Sequence, residues 1–405
     1  MKILVLNAGS STQKSCLYEV KGDSLPSSPP KPLWEGKVDW SHQQGVAEIE
    51  VETSAGENLT EEIATDSQSE IMTRLLNTIS NGSTKVINQL SEIDVVGHRV
   101  VHGGKYYRES VVITQEVKDA IANLANLAPA HNPANLAGIE AGEKILGEVK
   151  QVAVFDTAFH RSIPDAAAIY PGPYEWVEQD IIRYGFHGIS HQYCAERTAD
   201  ILGKDLQSLR IITCHLGNGC SLAAIKNGRS IDTTMGFTPL DGLMMGSRSG
   251  SVDPGILIYL LEQKICTVKD LDNLLNKASG LSGISGISGD MRQIKAAISQ
   301  GNQRAQLAYD IYVHRLRSSI GAMLASLGGL DALVFTGGIG ENASGIRQAA
   351  CEAFEFLGIQ IDVVKNMNKP VDKDITTSDS PIKALVIHTQ EDWQIARECY
   401  RLLES

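Results

Sequence analysis

Residues 1–20, MKILVLNAGSSTQKSCLYEV, and residues 209–234, LRIITCHLGNGCSLAAIKNGRSIDTT, follow one plan. Each opens with an apolar run (Ile3 to Leu6; Leu209 to Cys214), passes through a turn of small hydrogen-bonding residues and returns as a second run. Short apolar runs bounded by Gly, Asn and Ser read as strands. The later copy adds Asn227-Gly228, a type I′ hairpin signal because both central positions need φ > 0, and then a third strand. His215 follows Asn7 by 208 residues. Two such β-hairpins with polar, glycine-bearing tips predict two related α/β domains facing each other across a cleft.

The bulk of the chain agrees. At 405 residues it exceeds one ordinary core, so two domains are expected. A net charge of -12 excludes non-specific binding to nucleic acid or to an anionic membrane surface. Counter-charges for an anionic substrate must then be concentrated locally. The N-terminus, with one lysine and a four-residue apolar run, predicts no signal peptide. No stretch approaches the roughly 18 apolar residues of a membrane span. Seven scattered cysteines without a C-x-x-C read as buried thiols of a reducing compartment, which predicts a cytoplasmic protein.

Between and beyond the two hairpins, strands alternate with helices. Residues 22–32 read as a Pro/Ser-rich loop and 52–70 as polar with little periodicity. Strands are expected at 94–101, 151–156, 332–338 and 384–390, and helices at about 115–127, 135–147, 302–327, from 343, and at the C-terminus. Interleaving of this kind implies largely parallel sheets covered by helices. Ligands of such sheets bind at the C-terminal strand ends, where Asn7, Asp156, His215, Gly337 and Glu391 fall.

The turn Asn7 to Lys14 can form an anion nest of backbone N–H groups with a lysine added. It is not a Walker A loop: Gln13 precedes Lys14, the spacing is one short, and a strand follows. The plain alternative is an ordinary hairpin; the second copy, HLGNGCS (215–221), favours phosphate binding. TGGIGEN (336–342) ends a strand and starts a helix, which suits a nucleotide at a helix N-terminus. Seven of the ten histidines lie between 98 and 215. The pairs His98/His102 and His187/His191 have a zinc-like spacing but lack the Glu of H-E-x-x-H, so satisfied core or helix-start histidines are the simpler reading for His98, His102 and His191. Arg99 in an apolar strand, and Arg248 and Arg292 in Gly/Ser loops, are structural ion pairs or anion ligands.

Taken together, NAGSSTQK, GHRVVHGG, LAPAHNP, VAVFDTAFH, YGFHGISH, HLGNGCS, TTMGFTPLDGLMMGSRSG, FTGGIGEN and TQEDWQIARE resemble the acetate kinase family, in that family's order and spacing nearly end to end. The resemblance implies an α/β fold of two actin-like (ribonuclease H-like) domains related by internal duplication, with the active site in the interdomain cleft. The expected domains are 1–158, completed by a C-terminal helix from about 392, and 159–391. It implies a homodimer, with the 302–327 helix as an interface contributor or as intradomain core. It also implies reversible transfer of the ATP γ-phosphoryl to acetate, giving acetyl phosphate and ADP, with Mg²⁺ as the cofactor or Mn²⁺ as its substitute. By the same resemblance Asn7 and Glu391 place the metal and Lys14 contacts phosphate. His215, Leu216, Gly217, Asn218 and Gly219, then Asp290, Met291 and Arg292, then Gly338, Ile339, Gly340, Glu341 and Asn342, correspond to ATP-binding segments. Arg99 takes the substrate carboxylate; Val101, Phe186 and Pro239 wall the methyl pocket. Asp156 matches the acid/base, and His187 and Arg248 match the transition-state stabilisers.

The chemistry is coherent from below. Donor and acceptor are both anions, and in-line transfer spreads charge over three equatorial oxygens, so cations and a metal supply the stabilisation. Asp156 fits less directly: an acceptor carboxylate is already ionised at neutral pH. It is therefore expected to orient Arg248 or a metal-bound water. Ala130 replaces a bulkier leucine and Met291 an aromatic of the family pattern, and a methylene discriminates by only about 1–3 kcal/mol. Propionate or another short acyl group is thus the rival substrate, although Val101 argues for acetate. Rivals of another class are a zinc-dependent hydrolase built on the histidines and a non-catalytic ATP-driven switch.

Overall fold

The computed structural model describes the chain apart from residues 9–11, 23, 27, 44, 66, 129–130 and 405, and apart from the side chains of 8 and 41–43. Ala130 and the tip of the first hairpin therefore lie outside the described residues. The chain divides into two units, Met1–Ala158 with Gln390–Ser405, and Phe159–Thr389.

The first unit is built on an eight-stranded sheet: β1 (Lys2–Ala8), β2 (Thr12–Glu19), β3 (Trp34–Gln43), β4 (Val46–Thr53), β5 (Asn58–Ala64), β6 (Val95–Val100), β7 (Val111–Val112) and β8 (Lys150–Phe155). Their spatial order is β5-β4-β3-β2-β1-β6-β8-β7. β1, β6 and β8 run parallel, while β1 to β5 form an antiparallel meander. The polar stretch 52–70 thus contains β5, an edge strand whose Glu61 and Glu62 hid it from a hydrophobic pattern. Charged side chains on an edge also discourage pairing with another chain. One face of the sheet buries Leu4, Leu6, Leu17, Trp34, Val38 and Val96 with Ile71, Leu75 and Leu76 of the helix Gln68–Asn77 and Ala141 and Leu146 of the helix Asn132–Leu146. Full burial of one such side chain contributes about 1.5–3 kcal/mol. The helix Glu391–Glu404 covers the opposite face. It comes so close at Gly97 that a Cβ there would meet Cys399 Sγ at 2.6 Å and Ile395 Cγ2 at 2.7 Å.

The second unit has a six-stranded sheet: β9 (Arg210–Leu216), β10 (Cys220–Lys226), β11 (Arg229–Thr233), β12 (Ala332–Thr336), β13 (Lys373–Asp374) and β14 (Lys383–Val386). The order is β11-β10-β9-β12-β14-β13, with β9, β12 and β14 parallel. Asn227 and Gly228 have φ of 55° and 72°, as the hairpin signal requires. The segments β3-β2-β1-β6-β8 and β11-β10-β9-β12-β14 repeat one strand order and one pattern of directions, which is the internal duplication read from the two hairpins. The helix Gln303–Leu327 is capped by Asn302, whose side chain accepts from Ala305 N–H, and ends at Gly328 with φ 67°. Its stripe Ala305, Ala308, Tyr312, Leu316, Ile320 and Leu327 is buried within the unit, so it is intradomain core.

Candidate active site

In the first unit the parallel strands β1, β6 and β8 end in step, and their last residues converge. Asn7 is the penultimate residue of β1, Arg99 that of β6, and Asp156 follows β8. Arg99 donates Nη2–H (2.5 Å) and Nε–H (3.2 Å) to Asp156 Oδ2. Burial alone would lower the Arg99 guanidinium, but Asp156, then Glu391 and Asp392, overcome it and hold Arg99 as a permanent cation. Within its own unit the cation that Asp156 meets is Arg99; Arg248, which the sequence reading pairs with it, belongs to the other unit. Glu391 opens the C-terminal helix, and its carboxyl is raised chiefly by burial, opposed by Arg99 and reinforced by Asp156 and Asp392.

The opening turn is shorter than the sequence suggests, because Thr12 to Lys14 alternate well enough to extend β2. Asn7 and Lys14 stand directly opposite each other in the β1–β2 ladder. Directly opposite residues share a face, so the amide and the ammonium project together. Asp392 accepts from Asn7 Nδ2 at 2.8 Å, which leaves the Asn7 carbonyl oxygen to serve as a donor to metal. Among the described residues no group of three or more His, Cys, Asp or Glu forms a metal cage. Asn7 with Glu391 is instead a sparse oxygen set, which suits Mg²⁺ because that ion keeps its waters and the phosphates of its nucleotide.

Sequence reading missed the two side chains that fix the Val101 segment. Asn135 Oδ1 accepts from Val101 N–H and Asn132 Oδ1 from His102 N–H, each at 3.1 Å. Both asparagines are almost fully buried. The available signal was N-x-x-N on the buried face of a helix, where amides need a reason to be.

In the second unit β9 and β12 end side by side, with His215 registered against Thr336. The turn after β9, the helix Met291–Ser299 and the helix Gly337–Asn342 enclose a cavity of about 700 Å³. Gly217, Asn218, Asp290, Met291, Arg292, Gly338, Ile339 and Asn342 line it, together with Gly289, Lys295 and Ala343, which were not anticipated. Lys295 sits one helical turn beyond Met291, so the helix brings it to the same wall. Its volume falls in the range of cofactor and drug-sized sites. Leu216 and Gly340 are buried and do not line the cavity. Glu341 accepts from its own helix at Gly337 N–H (3.0 Å) and bonds His388 Nδ1 (2.6 Å). Of the two readings for Arg292, ion pair or anion ligand, the structure shows the ion pair: it forks onto Asp290 at 2.6 Å and remains largely exposed.

His187 begins the helix Gly188–Leu202 in the left-handed region, with φ 56°. A non-glycine residue held there is uncommon and costs of order 1–3 kcal/mol, which flags a positioned group. His187 Nδ1 bonds Ser221 Oγ at 2.9 Å, and the ring stacks on His215 with centroids 4.3 Å apart. Arg248 donates Nη1–H to Pro239 O at 3.3 Å, and burial lowers its guanidinium. No acid of its own unit pairs with it among the described residues. A point one Cβ bond out from Gly219 lies 3.5 Å from both His187 Nε2 and Arg248 Nη1. An imidazole nitrogen and a guanidinium N–H thus converge beside the HLGNG turn. Phe186 is fixed by its carbonyl, which accepts from His160 Nε2 at 3.0 Å. His160, His187 and His215 each bond a Ser hydroxyl through Nδ1, and His191 bonds Thr213 and Ser221 through its two nitrogens, so this cluster is a hydrogen-bond network in place of the zinc site considered above.

Residues 2–397 match the sequence model of the Acetokinase family. The chain belongs to the acetokinase family. It is 70% identical over 404 residues to an acetate kinase of Nostoc sp., covering all of both chains, and 62% identical to that of Gloeobacter violaceus over the full length of each. Among solved structures, Porphyromonas gingivalis acetate kinase superposes with a TM-score of 0.89 at 41% identity, covering 99% of each chain. A propionate kinase from Francisella tularensis superposes at 0.88 with 38% identity and 98% coverage of each chain. The doubled strand order of this acetokinase-family chain is accordingly the actin-like fold. Among the described residues no helix is long and apolar enough to cross a membrane.

Proposed function

We propose that this protein is an acetate kinase, a phosphotransferase with a carboxyl acceptor that moves the ATP γ-phosphoryl reversibly to acetate by direct in-line transfer. The observation that carries the reading is the convergence of His187 Nε2 and Arg248 Nη1 over Gly219, next to a nucleotide-sized cavity in the same unit. Arg99, kept charged by Asp156, receives the acetate carboxylate. Val101, Phe186 and Pro239 bound its methyl group. Gly217, Asn218, Met291, Gly338 and Ile339 hold the nucleotide, and Lys14 contacts phosphate. His187 and Arg248 donate to the oxygens on which charge accumulates during transfer, where such donors act most strongly. Asn7 and Glu391 hold Mg²⁺, which neutralises phosphate charge when bound. Asp156 acts through Arg99, because the acceptor needs no deprotonation.

Propionate is the second reading, favoured by the likeness to the Francisella propionate kinase. Hydroxamate trapping of acyl phosphate with acetate, propionate and butyrate in parallel separates the two. Preference for acetate supports the assignment; equal or better turnover of propionate moves it to the rival; no product with any acid overturns both.

We further infer a cytoplasmic homodimer. Its basis is the helix Pro254–Glu262, which buries none of its residues and leaves Ile256, Ile258 and Tyr259 more than half exposed. Apolar surface of this kind marks an interface, and a second copy is the self-complementary partner. Ile258→Asp should yield monomers in sedimentation velocity; an unchanged dimer would place the interface elsewhere.

A further inference from the structure

Three fully buried side chains lead to His187 in single file. The Thr213 hydroxyl bonds His191 Nδ1 at 2.7 Å, His191 Nε2 bonds Ser221 Oγ at 2.8 Å, and Ser221 Oγ bonds His187 Nδ1 at 2.9 Å. Thr213, His191 and Ser221 have no solvent exposure. A neutral imidazole has one donor and one acceptor nitrogen, and a hydroxyl has a single hydrogen and can accept twice, so once Ser221 spends its hydrogen within the chain, fixing one bond fixes the rest. His191 is neutral: burial, with the His160 and His215 rings nearby, holds it well below the ordinary histidine range.

Two directions are then available. In one, His191 donates Nδ1–H to Thr213. The Thr213 hydrogen then has no acceptor among the described residues, a state that buried hydroxyls avoid. In the other, Thr213 donates to His191 Nδ1, His191 Nε2–H donates to Ser221, and Ser221 donates to His187 Nδ1. Every hydrogen is used, and the His187 proton is left on Nε2. An imidazolium at His187 would need Ser221 to accept from Nδ1: Ser221 then either accepts from both rings, which leaves its own hydrogen without an acceptor among the described residues, or donates to His191, which returns to the first direction.

We propose that Thr213, His191 and Ser221 are positioning residues that lock His187 as its Nε2–H tautomer, an uncharged donor aimed with Arg248 at the point over Gly219. The tautomer of a functional histidine is set by the bond its other nitrogen makes, and here three buried groups set it in series. The catalytic consequence rests on the phosphotransferase reading; the tautomer does not.

The test has two arms. In full-length protein labelled with ¹⁵N at its ten histidines, two-bond ¹H–¹⁵N spectra at pH 7.5 should show His187 Nδ1 unprotonated and Nε2 protonated, assigned by the signal lost in His187→Gln. An Nδ1–H or doubly protonated His187 overturns the proposal, and this arm needs neither activity nor a positioning variant that folds. In the second arm Thr213→Val should lower kcat roughly tenfold or more, the scale for losing a group that orients a functional imidazole. KM for ATP and acetate should stay within about twofold, the His187 signals should shift toward Nδ1–H, and Thr213→Ser should restore both readouts. Unchanged kcat and spectrum in Thr213→Val also overturn it. Should the wild-type protein phosphorylate no short carboxylate, the kinase reading fails while the spectra still decide the tautomer.

Discussion

Gly219→Ala adds one methyl group where His187 and Arg248 converge. The new carbon would sit 3.4 Å from His187 Cε1 and 3.5 Å from both His187 Nε2 and Arg248 Nη1, ordinary contact distances. Gly219 is not among the residues with positive φ, so alanine meets no left-handed strain. Removing a glycine from such a position restricts the unfolded chain and stabilises by about 0.4–1 kcal/mol. Folding should therefore survive, with a melting temperature equal to wild type or slightly higher. Catalysis should not. Donors act on a reacting oxygen at about 2.7–3.1 Å, and losing one typically costs 10²–10³ in kcat, or about 3–4 kcal/mol. A methyl crowding both nitrogens should thus lower kcat at least about 100-fold. The ATP KM should change little, because the cavity is lined by Gly217 and Asn218 and not by Gly219. Initial rates of hydroxamate formation and a thermal melt on the same preparation are sufficient. A kcat within threefold of wild type in a stably folded variant would refute the claim that transferred charge develops at that point.

Asp156→Asn keeps the shape beside Arg99 but removes its counter-charge, so kcat/KM for acetate should fall about 100-fold while both limbs of the pH–rate profile persist; loss of one limb with intact Mg²⁺ dependence would show Asp156 acting as an acid or base. Arg347, fully buried, donates to Gly340 O, Glu341 O and both oxygens of Asn366, tying down the helix Gly337–Asn342. Arg347→Met strands those acceptors and should cost about 3–5 kcal/mol in urea denaturation with a raised ATP KM; a loss below about 1 kcal/mol would contradict it. His98 and His102 are buried, and burial pushes both down to about 4. The unfolded chain takes up these protons near pH 6.5 and the folded chain only near 4, so stability is full above about 6.5 and falls as pH drops toward 4, by about 3 kcal/mol for each histidine. Denaturant midpoints between pH 7 and 4 should show that slope, and His98→Gln should lose about 3 kcal/mol less over the interval; equal slopes would refute it.

The sequence by itself determined the doubled hairpin, the parallel strands behind it and the residues at their ends, because these are written in local pattern. Ile3 to Leu6 and Leu209 to Cys214 are apolar runs closed by Gly/Asn turns, and Asn227-Gly228 admits little besides a tight hairpin. Family likeness then named the chemistry-bearing positions. What it missed was set by partners distant in the chain. β5 carries too many glutamates to announce itself, and becomes a strand only because β4 offers it an edge. Asp156 meets Arg99 across 57 residues, and Asn7 meets Asp392 across 385. Asn132 and Asn135 gain their role from the two N–H groups they satisfy, and Thr213 from the histidine beside it. A hydrogen bond needs a direction and a partner within about 3 Å, and neither is carried by residue type or spacing. Tertiary structure alone decided which polar groups meet, and with that which way the proton on His187 points.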